Sequence, residues 1–381
     1  GVNGVATTVR YDQIAKIEAL EYVREVYVEN RYELDEESPD TATSGTMVGS
    51  YSAWADGYTG AGSRIAVIDT GLDLDHPSFD ESCFLYGLEL SAARFGKDMA
   101  DYNLLTAEEV AEVLPKLHAA ELYAGLTAGD LYRSAKVPFA FNYIDEDLDV
   151  THDNDSQGDH GTHVSGIATA NTYVWSKDAD GDMVAARQAN GVVGIAPDAQ
   201  LLPMKVFGRG GGAYDSDYMA AIEDAILLGC DAVNLSLGST SPGYATNAVY
   251  QDLLDRLSET DVVVSVAAGN AGSWADGVWN GHLYSDAVSL DMVGSPGSYT
   301  NALTVASADN VGYTGRYLTV QERAIFYTET ISRNKPLETL AGQPLEYVLV
   351  EGVGDDWTGI DLTGKVAVVT GAGGVLCSAF A

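Results

Sequence analysis

The sequence predicts an α/β protein built on a parallel sheet with helices on both faces. Three observations carry that expectation. Short apolar runs of strand length alternate with helical segments from about Ser50 to Ala308, the pattern of buried parallel strands. The residues that carry chemistry follow directly after strands, where ligand sites of such sheets sit. At 381 residues, with 46% apolar and 20% charged residues, the chain is globular and long enough for a large core and more than one domain.

Taken in order, residues 1 to about 35 read as strand, helix, strand. Val5–Val9 alternates, Tyr11–Leu20 carries Ile14, Ile17 and Leu20 at helical spacing, and Val23–Val28 returns as a strand. An acidic linker rich in Ser, Thr and Asp follows over Glu36–Ser44. The sheet strands are Arg64–Ile68, Gln200–Val206, Ala232–Leu235, Val262–Ala267 and Ala302–Ala306. The helices are Gly161–Thr169, Ser216–Leu228 and Thr246–Ser258. Two insertions interrupt the alternation. Residues 80–157 contain a predicted helix over Ala107–Leu122 and an acidic tail, Asp145 to Asp149, and Lys177–Arg187 is a smaller excursion. From about Tyr317 the pattern becomes β-rich, with strands at Leu345–Val350 and Lys365–Val369.

The net charge of −36 argues against nucleic acid and anionic membrane surfaces, both of which require basic patches. Most of the carboxylates read as a solvated surface. Asp178, Asp180 and Asp182, alternating around Gly181, form a run suited to calcium as a structural ion, but it lacks the full loop and distal Glu of a dedicated site, and a solvated acidic turn reads as well. Three widely spaced cysteines form neither a disulfide framework nor a metal-ligand pattern. No apolar run is long enough to span a membrane. The chain opens on Gly1, with no leader, directly into structured sequence, so a missing signal peptide does not argue for the cytoplasm.

Three segments suggest acyl transfer. Asp69 ends an apolar strand ahead of Thr70-Gly71, where a buried carboxylate can fix the tautomer of an imidazole. Asp-Thr-Gly is also an ordinary strand-end turn, and aspartic proteases use it in pairs; no second copy occurs, so that reading requires a homodimer. His160 opens a helix and suits a general base, with Gly161 and Gly166 permitting close packing. His163 reads as a packed structural histidine, because a zinc site of the His-Glu-x-x-His type needs other spacing. Asn270, after Ala267-Ala268-Gly269, can donate its amide to an oxyanion, or be half of a Gly-Asn turn. The small residues Ala267, Ala268 and Gly269 leave room for a substrate side chain. Ser236-Leu237-Gly238 can present backbone groups to an extended peptide, and Gly210-Gly211-Gly212 can do so from the opposite side.

Together these segments resemble the subtilisin-like serine proteases. Val67-Ile68-Asp69-Thr70-Gly71 with His76-Pro77, His160-Gly161-Thr162-His163-Val164-Ser165-Gly166, Gly194-Ile195-Ala196-Pro197, Asn234-Leu235-Ser236-Leu237-Gly238 and Ala268-Gly269-Asn270 match that family in order and spacing. The resemblance implies a subtilisin-like fold and a serine endopeptidase acting on polypeptides, needing no cofactor for its chemistry. It implies Asp69 as the orienting acid, His160 as the base, Asn270 in the oxyanion hole and Ser236–Gly238 along the substrate cleft. Residues 1–35 resemble the end of an inhibitory propeptide, with a cleavage linker over 36–48 and a catalytic domain over 49–316. Residues 317–381, notably Asp361-Leu362-Thr363-Gly364-Lys365, resemble the start of the protease-associated domain that the lactocepin-type cell-envelope branch inserts before its serine. An extracellular or cell-envelope location follows from the same resemblance. Ser78 stands where the family often carries an acidic calcium ligand, and no Gly-Thr-Ser-x-Ala occurs; Ser44-Gly45-Thr46-Met47 precedes Asp69, in the wrong order. The chain as given is therefore expected to be inactive, with its nucleophile further downstream. The alternative is a pseudoprotease that binds peptides without cutting them.

Overall fold

The computed structural model describes residues 7–10, 13–23, 26, 31–34, 41–153, 158–188, 192–210, 212–238, 248–269, 293–308, 317–320 and 323–326. The chain divides into two compact units, Gly1–Tyr313 and Thr314–Ala381.

The first unit opens with helix α1 (Ile14–Glu18), strand β1 (Arg31–Leu34), and helices α2 (Thr41–Met47) and α3 (Ser50–Ala55). Strand β2 (Arg64–Asp69) follows, then helices α4 (Glu81–Phe95), α5 (Ala107–Val113), α6 (His118–Leu122) and α7 (Ala128–Leu131), and strand β3 (Phe141–Asn142). Next come helix α8 (His160–Thr169), the hairpin β4 (Tyr173–Lys177) and β5 (Met183–Arg187), and strands β6 (Gln200–Lys205) and β7 (Ala213–Tyr214). Helix α9 (Asp215–Leu227), strands β8 (Ala232–Leu235) and β9 (Leu237–Gly238), helix α10 (Ala248–Leu257), and strands β10 (Val263–Ala267) and β11 (Leu303–Val305) complete it. In the second unit, β12 (Tyr317–Val320) and β13 (Arg323–Phe326) form an antiparallel hairpin. The strands expected at Leu345–Val350 and Lys365–Val369 lie outside the described residues.

The main sheet has six strands in the order β11-β10-β8-β2-β6-β3, and all five pairings are parallel. Its α/β architecture is the one the alternating pattern predicts. Successive side chains of β2 point to opposite faces. Ala66 and Ile68 join the larger core with Tyr218, Ile222 and Leu257, from α9 and α10. Val67 faces the smaller core, where Val164 of α8 packs. Both faces of β2 are thus covered, which is why it reads as a continuous apolar run.

The insertion is helical. Phe84, Leu88 and Ala92 repeat every four residues along α4 and bury one stripe. Asp80 caps its start by accepting from the Cys83 N–H at 2.9 Å. The single helix predicted over Ala107–Leu122 is instead two. Pro115 lacks an N–H and crowds the preceding turn, so α5 closes into a 3₁₀ turn over Leu114–Lys116 before α6 begins. The cap of α6 comes from elsewhere in the fold: Asp224 of α9 accepts from the His118 N–H at 2.7 Å and the Ala119 N–H at 3.0 Å, and also from the Tyr143 hydroxyl at 2.8 Å.

Several expectations near the N-terminus change. Residues 7–10 are not in a strand, and most of Val23–Val28 lies outside the described residues. Of the expected linker, residues 35–40 also lie outside them, whereas Thr41–Met47 is helical. That helix is tied to α3, since Ser50 Oγ donates to the Gly45 carbonyl at 3.0 Å, and α3 is tied in turn to the loop before β6, since Trp54 Nε1 donates to the Ile195 carbonyl at 2.8 Å.

His118 Nε2 meets Glu223 Oε2 at 2.7 Å, and this bond is the main cause raising the histidine's pKa above its ordinary value. A raised folded-state value means that the stabilisation is complete below His118's unfolded value, about 6.5, and is lost as pH rises through the folded value. His118→Gln is expected to lower the thermal midpoint most near about pH 5.5 and least near about pH 8.5. Thermal unfolding of both proteins across that range checks it.

Candidate active site

Asp69 is the last residue of β2 and is fully buried. His160 is the first residue of α8. Its Nδ1 lies 2.8 Å from Asp69 Oδ1. An ionised carboxylate only accepts, so Nδ1–H donates and Nε2 is left as the basic nitrogen. The Thr70 N–H donates to the same Oδ1 at 2.7 Å, and Thr70 Oγ1 accepts from the Gly161 N–H at 2.8 Å. One threonine therefore ties the acid to the helix that carries the base.

This contact requires glycine at position 161. A β-carbon there would lie 2.4 Å from the Gly71 carbonyl oxygen and 2.8 Å from the Gly71 nitrogen. Gly71 itself sits at φ +105, with the Val150 carbonyl against it. Gly166 differs from its sequence reading: nothing lies within 4 Å of its would-be β-carbon, so close packing does not explain it.

The far end of α8 is anchored as completely as the near end. The carbonyls of Ile167, Ala168 and Ala170 accept from the Ile195, Ala196 and Gly194 N–H groups at 2.8–2.9 Å. The Thr169 carbonyl accepts from Lys136 Nζ at 2.7 Å. Lys136 also donates to the Pro197 and Ala199 carbonyls, at 3.0 and 2.8 Å, and lies over the Phe84 ring. It is wholly buried, and burial lowers its pKa to about 7. Sequence reasoning missed Lys136; the available signal was a single lysine inside the apolar stretch Ala135–Phe141.

The segments expected to line a cleft flank one short strand. Ser236 follows β8, and since Ile68 pairs with Leu235, Ser236 comes level with Asp69. Beyond it, Leu237 and Gly238 form β9, which pairs antiparallel with β1, with Glu33 opposite Gly238 and Leu34 opposite Leu237. The opposite wall is Ala213–Tyr214, which pairs with Arg31 and Tyr32. Of the expected Gly210–Gly212, Gly212 is left-handed at φ +79 and turns the chain into this strand, Gly210 is exposed, and Gly211 lies outside the described residues. The order β7-β1-β9 means that the chain's own residues 31–34 occupy the space between the two walls.

Ala267 ends β10, Ala268 donates its N–H to the Val305 carbonyl at 2.9 Å, and Gly269 follows at φ +91. Asn270 lies outside the described residues. His163 is exposed rather than packed. It lines a groove of about 600 Å³ together with Trp54, Phe79 and Ile167. In the Asp178–Asp182 run, Asp178 Oδ1 accepts from the Asp180 and Asp182 N–H groups at 3.0 and 2.9 Å, closing the tip of the β4–β5 hairpin. Among the described residues, no group of three or more His, Cys, Asp or Glu side chains is placed to hold a metal ion. At the position where the family often carries an acidic calcium ligand, Ser78 Oγ donates to Gln188 Oε1 at 3.3 Å.

A family model described as the subtilase family matches residues 60–368. The chain belongs to the subtilase family. That match runs across 317–368, the stretch whose sequence resembles an inserted domain. The chain is 31% identical over 329 residues to the PI-type proteinase of Lactococcus lactis subsp. cremoris, covering 84% of this chain and 15% of that protein. It is 29% identical to the PII-type proteinase of Lacticaseibacillus paracasei over 384 residues, covering 97% of this chain and 18% of the relative. It is 28% identical to the minor extracellular protease Vpr of Bacillus subtilis over 394 residues, covering 96% of this chain and 37% of the relative. This subtilase chain therefore spans well under half the length of these relatives.

The two helix glycines make opposite predictions. Gly161→Ala is expected to push α8 away from the Asp69 turn, destabilising the fold by about 1–3 kcal/mol and breaking the His160–Asp69 bond. Gly166→Ala is expected to be neutral or to stabilise by about 0.5–1 kcal/mol, because glycine in a helix interior carries an entropic penalty. Denaturant unfolding and the ring resonances of His160 check both.

Proposed function

We propose that this subtilase chain is part of a serine endopeptidase, with Asp69 orienting His160 and His160 acting as general base toward a serine downstream of Ala381. The observation that carries the reading is the 2.8 Å bond from His160 Nδ1 to Asp69 Oδ1, which directs Nε2 to nucleophile chemistry. In the reaction Nε2 takes the serine proton as Oγ attacks the scissile carbonyl, then returns it to the leaving amine. Asn270 donates to the oxyanion in this reading, and an extended substrate adds as a strand between β7 and β9. The protein acts outside the cell or at its envelope. Among the described residues, no helix is long and apolar enough to cross a membrane.

Residues 1–35 act as the end of an inhibitory propeptide. The support is β1, which pairs with both walls as a bound peptide would and runs from Glu33, opposite Gly238, to Leu34, opposite Leu237, toward the level of Ser236 and Asp69. That direction favours a processing bond soon after Leu34, where the propeptide meets the 36–48 linker.

The tests follow from the roles. The 381-residue chain is expected to show no peptide hydrolysis, and the gene's longer product is expected to show it. In that product Asp69→Asn should lower kcat about 10⁴-fold and His160→Ala about 10⁶-fold, the scale measured for subtilisin's own triad. Full activity of either variant would remove the triad reading, and peptide binding by a verified serine-less product would favour the pseudoprotease. N-terminal sequencing of the processed enzyme is expected to begin within residues 35–37. Tyr32→Pro, which removes a strand N–H, should weaken inhibition by the N-terminal segment.

A further inference from the structure

The turn carrying Asp69 is gripped from three sides. Gly161 closes on it from α8, and the Val150 carbonyl presses against Gly71. The third contact is Lys205, the ladder partner of Asp69 across β2 and β6. Lys205 is 1% exposed. Its Cδ lies 3.3 Å from the position a β-carbon would take on Gly71, so its stem runs along the turn. Its Nζ donates to the Thr70 carbonyl at 2.6 Å. Thr70 is the residue whose N–H holds Asp69 Oδ1 and whose hydroxyl holds the Gly161 N–H.

A second observation concerns Asp69 itself. It is fully buried, and its Oδ2 has no hydrogen-bond donor among the described residues. A carboxylate so placed stays ionised only where other charge or dipoles offset its desolvation. Ladder partners in a parallel sheet direct their side chains to the same face, so the ammonium of Lys205 is delivered to the Asp69 side of β6.

We propose that Lys205 is a positioning residue for the Asp69–His160 pair: it fixes the Asp69-Thr70-Gly71 turn through the Thr70 carbonyl and supplies positive charge beside the buried Asp69 carboxylate. The second function matters for the base, because only an ionised Asp69 keeps the Nδ1–H tautomer and leaves Nε2 free. The proposal rests on the reading of Asp69 and His160 as the acid–base pair. Besides His160, the ionisable groups that β2, the loop after it, α8 and β6 carry among the described residues are Arg64 and Asp69 on β2, Asp73, Asp75 and His76 in the loop, Asp159 and His163 at the start of α8, and Lys205 on β6.

The test is NMR titration of the full 381-residue chain, reading the His160 ring and the Lys205 Cε. In the unmodified chain, the Lys205 signal is expected to shift with the same midpoint as His160. Lys205→Met keeps the length of the stem and removes the charge. It is expected to move the His160 midpoint to higher pH by about half a pH unit or more, because a positive neighbour no longer opposes the imidazolium. Lys205→Gln keeps a donor without charge, and should give the same upward movement with a smaller loss of thermal stability. A lowered thermal midpoint with the His160 titration unchanged would make Lys205 a packing residue and overturn the proposal, whereas a midpoint moved to lower pH would show Asp69 losing its charge together with the lysine and would support it. Should neither variant fold, the unmodified chain decides: a Lys205 signal that stays flat through the His160 titration overturns it. Hydrolysis is not the readout, so failure of the peptidase reading and failure of this proposal are distinguishable.

Discussion

The close approach of α8 to the end of β2 is the constraint on which the site depends. A general base has value only if its tautomer and orientation are fixed, and here a buried carboxylate fixes both across the gap between a strand and a helix. That gap is set by backbone rather than by side chains. Gly161 lets the first turn of the helix touch the Gly71 backbone, and Thr70 bridges the two segments with its hydroxyl. The four consecutive carbonyls at the other end of α8 are all satisfied, three by the 194–196 backbone and one by Lys136. A helix held at both ends has little freedom to change the angle at which it presents His160. Placing a cation at a helix C-terminus also favours the helix dipole.

The cleft works by a different principle. Its walls are short strand segments that offer backbone groups, and backbone pairing is largely indifferent to sequence. This explains how the chain's own residues 31–34 fit between β7 and β9. The parallel register of the main sheet then links the cleft to the chemistry. Leu235 stands opposite Ile68, so the strand that ends in Asp69 and the strand that leads into the cleft wall terminate together. The candidate cleft and the Asp69–His160 pair are neighbours because two sheet strands stop at the same level.

Buried charge in this very acidic protein is used sparingly and locally. Lys136 is enclosed by three carbonyls and an aromatic ring, and Asp224 by two backbone N–H groups and a hydroxyl, although burial still raises its pKa. Each group is surrounded by partners that offset its desolvation, which unpartnered burial would not allow. Both join segments distant in sequence: Lys136 ties the insertion to α8, and Asp224 ties α9 to the start of α6.

Much of the architecture was legible along the chain. The five sheet strands that it predicts all form within a residue or two, and so do the three helices, because strand and helix periodicity are local properties. Asp69 and His160 were legible because glycine and small residues mark the turns around them. Other features depended on contacts that no local pattern records. Pro115 divides a helix whose apolar spacing looked continuous. The strand that pairs with residues 31 and 32 begins at Ala213, after a left-handed turn at Gly212 that spacing alone does not reveal. The exposure of His163 and the burial of Lys136 and Lys205 depend on which segment packs against each. By itself, then, the sequence determined the strands of the main sheet, the helices that alternate with them, and Asp69 and His160 as the candidate acid–base pair. Only the tertiary structure decided what surrounds them, because a side chain's burial and charge partners come from residues far away along the chain.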